Sequence, residues 1–256
     1  MKSPYYESDA ALSQYLLLHY GTEADIAPDG FVPKKARSFP LRCVTDTLAR
    51  QAIPENARAL DVGCAVGRSS FELARCCGEV IGLDFSQRFI AAARRLRKSG
   101  GVEVDLIDQG DLKRRVRLAV PSDIDSSRVR FEQGDAQDLR KDLGTFDVVL
   151  AANLLCRLRN PSRFLDRLPK LVRPGGTLVI TTPSTWKQIH TPRANWIGGV
   201  TRDGREVRTL DGLKDFLEPA FSLRRCLDLP LVIREHERKY EYIIAEATVW
   251  RRAGRT

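Results

Sequence analysis

The stretch that most constrains this chain is Ala59-Leu60-Asp61-Val62-Gly63-Cys64-Ala65-Val66-Gly67-Arg68-Ser69-Ser70, an apolar run that ends in a loop hinged on two glycines. Ser70 to Cys77 then carries helix formers at helical spacing, so the whole reads as strand, glycine loop and helix. Gly63 turns the chain sharply, Gly67 lets the backbone approach a bound group, and the first N–H groups of the helix face that group. A strand-to-helix turn also needs glycine for purely structural reasons, so the loop takes its meaning from the residues that the rest of the chain brings to it.

Strands and helices alternate along the chain. Residues 57–62, 80–84, 129–131, 146–151, 177–182, 221–227 and 240–250 read as strands, with helices expected over 89–98, 161–171 and 209–217. Helices over 8–20 and about 40–51 precede the first strand, which divides the chain into a helical cap at 1–52 and an α/β domain at 53–256. Between the second and third strands, Val102, Val104 and Leu106 alternate with acids, Asp108-Gln109-Gly110-Asp111 is turn-like, and Val116, Leu118 and Val120 alternate again. This predicts a β-hairpin inserted at about 102–120. The expected fold is Rossmann-like: a mostly parallel seven-stranded sheet with helices on both faces, an amino-terminal helical lid and that hairpin.

A chain of 256 residues, 43% hydrophobic, buries one large core. Its formal charge of +9 raises nucleic acid as a partner, but the bases are dispersed and form no binding arm. The charge therefore reads mainly as solvated surface, with RNA as the alternative. Six cysteines show no CxxC or zinc spacing, and His19, His190 and His236 are not at metal-ligand spacing. Reduced thiols in a cytoplasmic protein, without a metal, are expected. No apolar run approaches the roughly 18 residues needed to span a bilayer, so no membrane association is expected.

In a parallel sheet, ligands sit beyond the carboxyl ends of the strands where strand order reverses. Gly63, Asp84, Asp135 and Asn153 stand at the ends of four successive strands, so they converge on one edge. Asp84, followed by Phe85, lies 21 residues after Gly63, the interval at which an acid meets a ribose diol. Asp135, beside the small Ala136, suits an exocyclic adenine amine while a backbone N–H meets a ring nitrogen. Asp61 repels a pyrophosphate but suits an ammonium group, which favours an amino-acid nucleoside over a dinucleotide.

Leu60 to Gly67 with Asp84, Gly134-Asp135-Ala136 and Asn153 resemble the core of class I S-adenosylmethionine-dependent methyltransferases. The resemblance implies S-adenosylmethionine as cofactor, with Asp61, Gly63, Ala65 and Gly67 at its methionine portion. It places Asp84 and Phe85 at the ribose, and Asp135, Ala136 and Asn153 around the remainder. Ala65 departs from the pattern, since many members have Gly there.

A closer resemblance runs through Tyr15 to Gly21 (YLLLHYG), Asp61 to Glu72 (DVGCAVGRSSFE), Phe131 to Ala136 (FEQGDA), Ala151 to Leu158 (AANLLCRL) and Ile233 to His236 (IREH). These stretches are similar to the carboxy-terminal methyltransferase region of ovothiol synthase. That implies methyl transfer to the imidazole π nitrogen of 5-thiohistidine, in the biosynthesis of ovothiol A. In fused enzymes an iron-dependent sulfoxide synthase precedes this region; the chain has no room for one, so a stand-alone enzyme fed by a separate synthase is expected.

Topology brings the loops after the fourth and fifth strands and the approach to the last strand to the ligand side, under the lid that bears Tyr15 and His19. Asn153 is the expected orienter of the ring or the substrate amine, and Tyr15 a hydroxyl partner or stacking face. Arg157 or Arg234 clamps a carboxylate, because Arg offers a paired fork, and His236 is the candidate proton acceptor. Each also has a plain reading: a turn cap for Asn153, a core aromatic for Tyr15, surface ion pairs for the arginines, no role for His236. An RNA methyltransferase fits less well, because Asn153 is followed by Leu154-Leu155 and not by the Pro-Pro-aromatic run used on exocyclic amines. Methylation of another small amine, and a catalytically silent cofactor-binding module, are the other rivals.

Overall fold

Each apolar run becomes a strand of one sheet in a computed structural model, which describes residues 4–27, 30–218 and 220–254. The elements in chain order are α1 (Asp9–Tyr20), α2 (Glu23–Ile26), α3 (Phe39–Leu48), β1 (Arg58–Val62), α4 (Arg68–Leu73), β2 (Glu79–Asp84) and α5 (Gln87–Ser99). Then come β3 (Gly101–Gln109), β4 (Leu112–Ala119), β5 (Val129–Gln133), β6 (Phe146–Ala152), α6 (Pro161–Leu165), α7 (Leu168–Leu171) and β7 (Val172–Thr182). The chain ends with β8 (Val200–Arg202), β9 (Arg205–Val207), α8 (Thr209–Leu217), β10 (Phe221–His236) and β11 (Lys239–Arg252).

The seven-stranded sheet has the order β5-β2-β1-β6-β7-β11-β10. Strands β5, β2, β1, β6 and β7 run parallel, β11 is antiparallel to β7, and β10 to β11. The order reverses at β1, so a crevice opens beyond the carboxyl ends of β1 and β6. This is the Rossmann-like methyltransferase fold.

The pleat divides the core in two. Ala59, Val80, Val148 and Leu150 face a cluster covered by α1, α3, α4, α5 and the β3–β4 hairpin. Leu60, Val62, Ile81 and Val149 face a second cluster covered by α6, α7 and α8. Asp61, between Leu60 and Val62, therefore lies on the side of α4 and the cap. Ala11, Leu16 and Cys43 of the cap share the first cluster with Phe71 and Phe89. Polar ties join the cap to the glycine loop: the Tyr20 hydroxyl donates to the Val66 carbonyl at 2.7 Å, and Ser69 Oγ to the Pro40 carbonyl at 2.9 Å.

The inserted hairpin pairs Gly101 with Ala119 through to Gln109 with Leu112, and buries Val102, Val104, Leu106 and Leu118 against the cap. Other boundaries differ from expectation. The single helix expected over 161–171 is two short ones, because Pro169 has no N–H and its ring blocks the preceding turn. The last two strands run to 16 and 14 residues, and their far end reaches the cap. A small β8–β9 hairpin lies in a segment expected to be irregular; Asp203 and Gly204, with φ of 50° and 74°, make its turn, and that Asp-Gly pair was the available signal. No helix among the described residues is long and apolar enough to cross a membrane.

Candidate active site

A cavity of about 840 Å3 lies beyond the carboxyl ends of β1, β2, β5 and β6, within the range of small-molecule sites. Asp61, Gly63, Ala65, Asp84, Phe85, Asp135, Ala136 and Asn153 all line it. The convergence expected from strand ends is thus present in three dimensions.

Asp61 is 1% exposed. Its Oδ2 accepts a hydrogen bond from Ser70 Oγ at 2.6 Å, while Oδ1 has no partner. Burial drives its carboxyl up to about 7; the Ser70 bond opposes that and the Asp84 charge adds to it. An orphaned carboxylate oxygen at a cavity wall is a seat for a ligand cation.

Asp84 is held at both oxygens. The Ala65 N–H donates to Oδ2 at 2.9 Å and the Ser86 N–H to Oδ1 at 2.8 Å, leaving lone pairs for two neighbouring hydroxyls. Burial lifts it to about 6 against those bonds. Ala65 adopts φ 48°, and this left-handed turn aims its amide at Asp84. Asp135 Oδ1 accepts from the Gln137 N–H at 2.8 Å and so caps the short turn that begins at Ala136.

Gly67 is a correction: it does not line the cavity. It starts α4 at φ 90°, and a Cβ there would lie 2.5 Å from the Phe131 ring. Packing against β5 is by itself enough to require glycine there. Gly67→Ala is expected to destabilise the fold by roughly 3 kcal/mol, through the positive φ and the clash, read as a lower urea midpoint with unchanged slope.

Asn153 adopts φ 51°, a conformation Asn tolerates better than most residues. Its N–H donates to the Thr181 carbonyl at 2.9 Å, and Thr181 Oγ1 donates to its Oδ1 at 2.9 Å, which leaves Nδ2 free to donate. Tyr15 lines the cavity, its ring 4.8 Å from Phe89. Burial pushes its hydroxyl well above the ordinary range, so it stays a neutral donor. Arg157 lines the cavity too, its Nε donating to the Tyr6 hydroxyl at 2.9 Å. No carboxylate pairs with Arg157 among the described residues, so its guanidinium faces the cavity as an uncompensated cation.

Arg234 and His236 are corrections as well. Arg234 is 4% exposed, and its guanidinium donates to Asp108 Oδ1 at 2.7 Å and to the Asp25 carbonyl at 2.8 Å. It locks β10 to α2 and the inserted hairpin, away from the cavity wall. His236 sits at the end of β10, where its Nδ1 accepts from the Arg238 N–H at 3.3 Å, also off the cavity. Sequence position suggested both because the approach to the last strand was expected on the ligand side. The strand instead overshoots the crevice.

Two histidines line the cavity in their place. His19 Nδ1 accepts from the Arg68 N–H at 3.3 Å, and burial, with Arg68 adding, holds it neutral by driving its pKa down to about 3. His190 stands in the segment after β7, which was expected on the ligand side. Burial lowers its pKa, and Arg157 and Lys187 lower it further.

Residues 60–180 match the family described as "Methyltransferase domain". This stretch is a methyltransferase domain. Similar proteins include a trans-aconitate 2-methyltransferase of Deinococcus radiodurans, 31% identical over 199 residues (73% of this chain, 62% of that one). A ubiquinone biosynthesis O-methyltransferase of Rhizobium etli is 28% identical over 128 residues (50% and 42%). The chain spans less than two thirds of the length of these curated relatives. The N-methyltransferase NodS of Bradyrhizobium japonicum, solved with S-adenosyl-L-homocysteine, shares the fold at a TM-score of 0.54 and 16% identity, over 94% of this chain and 98% of that one. The [4+2]-cyclase SpnF does so at 0.61 and 17%, over 98% and 95%, so the fold alone does not carry the reaction.

The atoms that line the cavity of this domain fit S-adenosylmethionine. The orphan Asp61 Oδ1 meets an ammonium, the doubly braced Asp84 a ribose diol, and Asp135 with Ala136 an adenine edge. When bound, this cofactor supplies an electrophilic methyl group. Among the described residues no three His, Cys, Asp or Glu side chains are grouped to hold a metal ion.

Proposed function

We propose that the chain transfers a methyl group from S-adenosylmethionine to the imidazole π nitrogen of 5-thiohistidine, as in ovothiol A biosynthesis. The observation that carries the reading is the pairing of opposite seats in one cavity: a buried carboxylate oxygen on Asp61 and a guanidinium on Arg157, each without an ionic partner among the described residues. The first suits the cofactor ammonium, and the second the carboxylate of an amino-acid acceptor. The resemblance of Asp61 to Glu72 and the other stretches to the ovothiol synthase methyltransferase region supports the same acceptor.

One task of the protein is positioning. Aligned approach of nucleophile and methyl carbon contributes on the order of 7–11 kcal/mol. Arg157 holds one end of the acceptor, Asn153 Nδ2 and the Tyr15 hydroxyl orient the ring, and Leu18, Phe39, Leu231, Ile233 and Ile243 keep water out. Positive charge at the methyl donor disperses in the transition state, which a water-poor cavity favours. The cap, through Tyr6, Tyr15 and His19, roofs this cavity, which supports a small acceptor over RNA. The basic surface supports that choice too, since Arg58, Arg75, Arg115, Arg130 and Arg140 all form ion pairs. An iron-dependent sulfoxide synthase supplies the acceptor in this reading.

A second reading, O-methylation of a small carboxylic acid, draws on Arg157 and on the name of the Deinococcus relative. One experiment separates them: methyl-labelled cofactor with 5-thiohistidine, histidine, trans-aconitate and RNA in parallel. Label is expected only on 5-thiohistidine, at ring nitrogen by NMR. Label on histidine, trans-aconitate or RNA, or on the thiohistidine sulfur, overturns the assignment.

A further inference from the structure

We propose that His190 accepts the ring N–H proton of the thiohistidine acceptor and thereby decides that nitrogen, and not sulfur, receives the methyl group. The inference rests on 5-thiohistidine being the acceptor.

The need is chemical. A thiol on an imidazole is far more acidic than a ring N–H, so near neutral pH sulfur carries the negative charge and both ring nitrogens keep their protons. Sulfur is then ready to attack without help, whereas the π nitrogen has no free lone pair until its proton leaves. Positioning alone does not remove that proton; a base does.

Of the two histidines on the cavity wall, His19 and His190, the geometry favours one as a base. His19 Nδ1 is committed to the Arg68 N–H, at the amino end of α4, where an imidazolium would be repelled by the Arg68 cation and by the helix terminus. The His190 ring makes no hydrogen bond among the described residues, so it is open to the cavity.

Its loop is also fixed in place. Thr191, next in the chain and fully buried, donates from Oγ1 to the Leu158 carbonyl at 2.6 Å, and its carbonyl accepts from Trp196 Nε1 at 2.8 Å. Leu158 follows Arg157 directly, so one buried hydrogen bond sets the base against the guanidinium that would hold the acceptor carboxylate.

The charges around His190 act in the required sense. Arg157 and Lys187 face it and, with burial, keep it unprotonated in the free protein. An acceptor carboxylate on Arg157 cancels one of those cations, so the proton affinity of His190 rises when the acceptor is seated. In the step itself, the π N–H proton passes to a His190 ring nitrogen. The freed nitrogen pair forms the N–CH3 bond as the methyl–sulfonium bond breaks, with that bond's electrons left on the cofactor sulfur. His190 then returns its proton to water.

The test uses His190→Gln and His190→Ala with wild type, each checked for an unchanged melting temperature. With 5-thiohistidine, kcat is expected to fall about 100-fold or more, the usual scale for a lost base, and the remaining product to shift from N-methyl to S-methyl. Affinity for 5-thiohistidine in the presence of S-adenosylhomocysteine, by calorimetry, is expected to change less than about 3-fold, as for a group that acts on the proton and not on binding. By NMR, the His190 ring is expected to titrate below its ordinary 6.5 in the free protein and to move upward when 5-thiohistidine binds beside S-adenosylhomocysteine. Variants that keep kcat and the N-to-S ratio overturn the His190 assignment alone, as does a loss confined to binding. A wild-type protein with no activity on 5-thiohistidine overturns the acceptor assignment and this inference with it.

Discussion

Asp61→Asn is expected to lose cofactor affinity by at least about 100-fold while making the free protein more stable above neutral pH. Asn keeps an oxygen for Ser70 but turns an N–H donor toward the seat of the ammonium, replacing attraction with repulsion. Stability moves the other way because of the pH linkage. Burial raises the Asp61 carboxyl from 3.8 to about 7, so the folded protein binds the proton more tightly than the unfolded chain. The resulting stabilisation is full below 3.8 and is lost as pH rises to about 7. Relative to its protonated form, the ionised carboxyl above that range costs roughly 4 kcal/mol, since each tenfold gain in proton affinity is worth about 1.4 kcal/mol. Removing the charge removes the cost. Melting curves near pH 4 and pH 8 read both halves, with the variant gaining stability only at the higher pH. A variant that still gains thermal stability from S-adenosylmethionine would show that the ammonium is held elsewhere.

The second large effect falls on the acceptor. Arg157→Ala is expected to raise KM for 5-thiohistidine about 100-fold or more, the scale of roughly 2–5 kcal/mol for an unpaired charge in a partly dry site. Binding of S-adenosylmethionine is expected to stay unchanged. Arg157→Lys recovers only part of the loss, because a point charge lacks the fork and cannot keep the bond to the Tyr6 hydroxyl in the same geometry. The control is the decarboxylated acceptor, 5-thiohistamine. Wild type and Arg157→Ala should methylate it equally slowly if Arg157 serves the carboxylate. An equal loss on both acceptors would assign Arg157 to packing of the cap through Tyr6.

The gathering of Asp61, Asp84 and Asp135 on one cavity wall was legible because its signals are local. A strand that carries Asp61 and turns at Gly63, and an acid 21 residues after that glycine at the end of the next strand, need only the strand-helix-strand crossover to meet. The inserted hairpin was legible for the same reason: alternation about a turn-like tetrapeptide pairs residues close in sequence. The acceptor half was only partly legible. Arg157 and Tyr15 do reach the cavity, yet Arg234 is equally suited by sequence alone, and the Asp108 and Asp25 partners that claim it lie 126 and 209 residues away. Gly67 misled in the opposite direction. A glycine in a nucleotide loop suggests a ligand, but the atoms that exclude a side chain there belong to Phe131 of β5.

The amino-acid sequence by itself determined the Rossmann-like sheet, the edge on which the cavity opens, and the acids that line it, since period, turn chemistry and strand-end spacing are properties of neighbouring residues. Only the tertiary structure decided which distant side chains share the cavity with those acids. The cap folds back over the crevice, β10 runs past it, and Thr191 pins the loop after β7 to Leu158, so that Arg157 and His190 face the cavity while Arg234 and His236 are carried away from it. Those outcomes depend on long-range packing and on single buried hydrogen bonds, which leave no periodic trace in the chain.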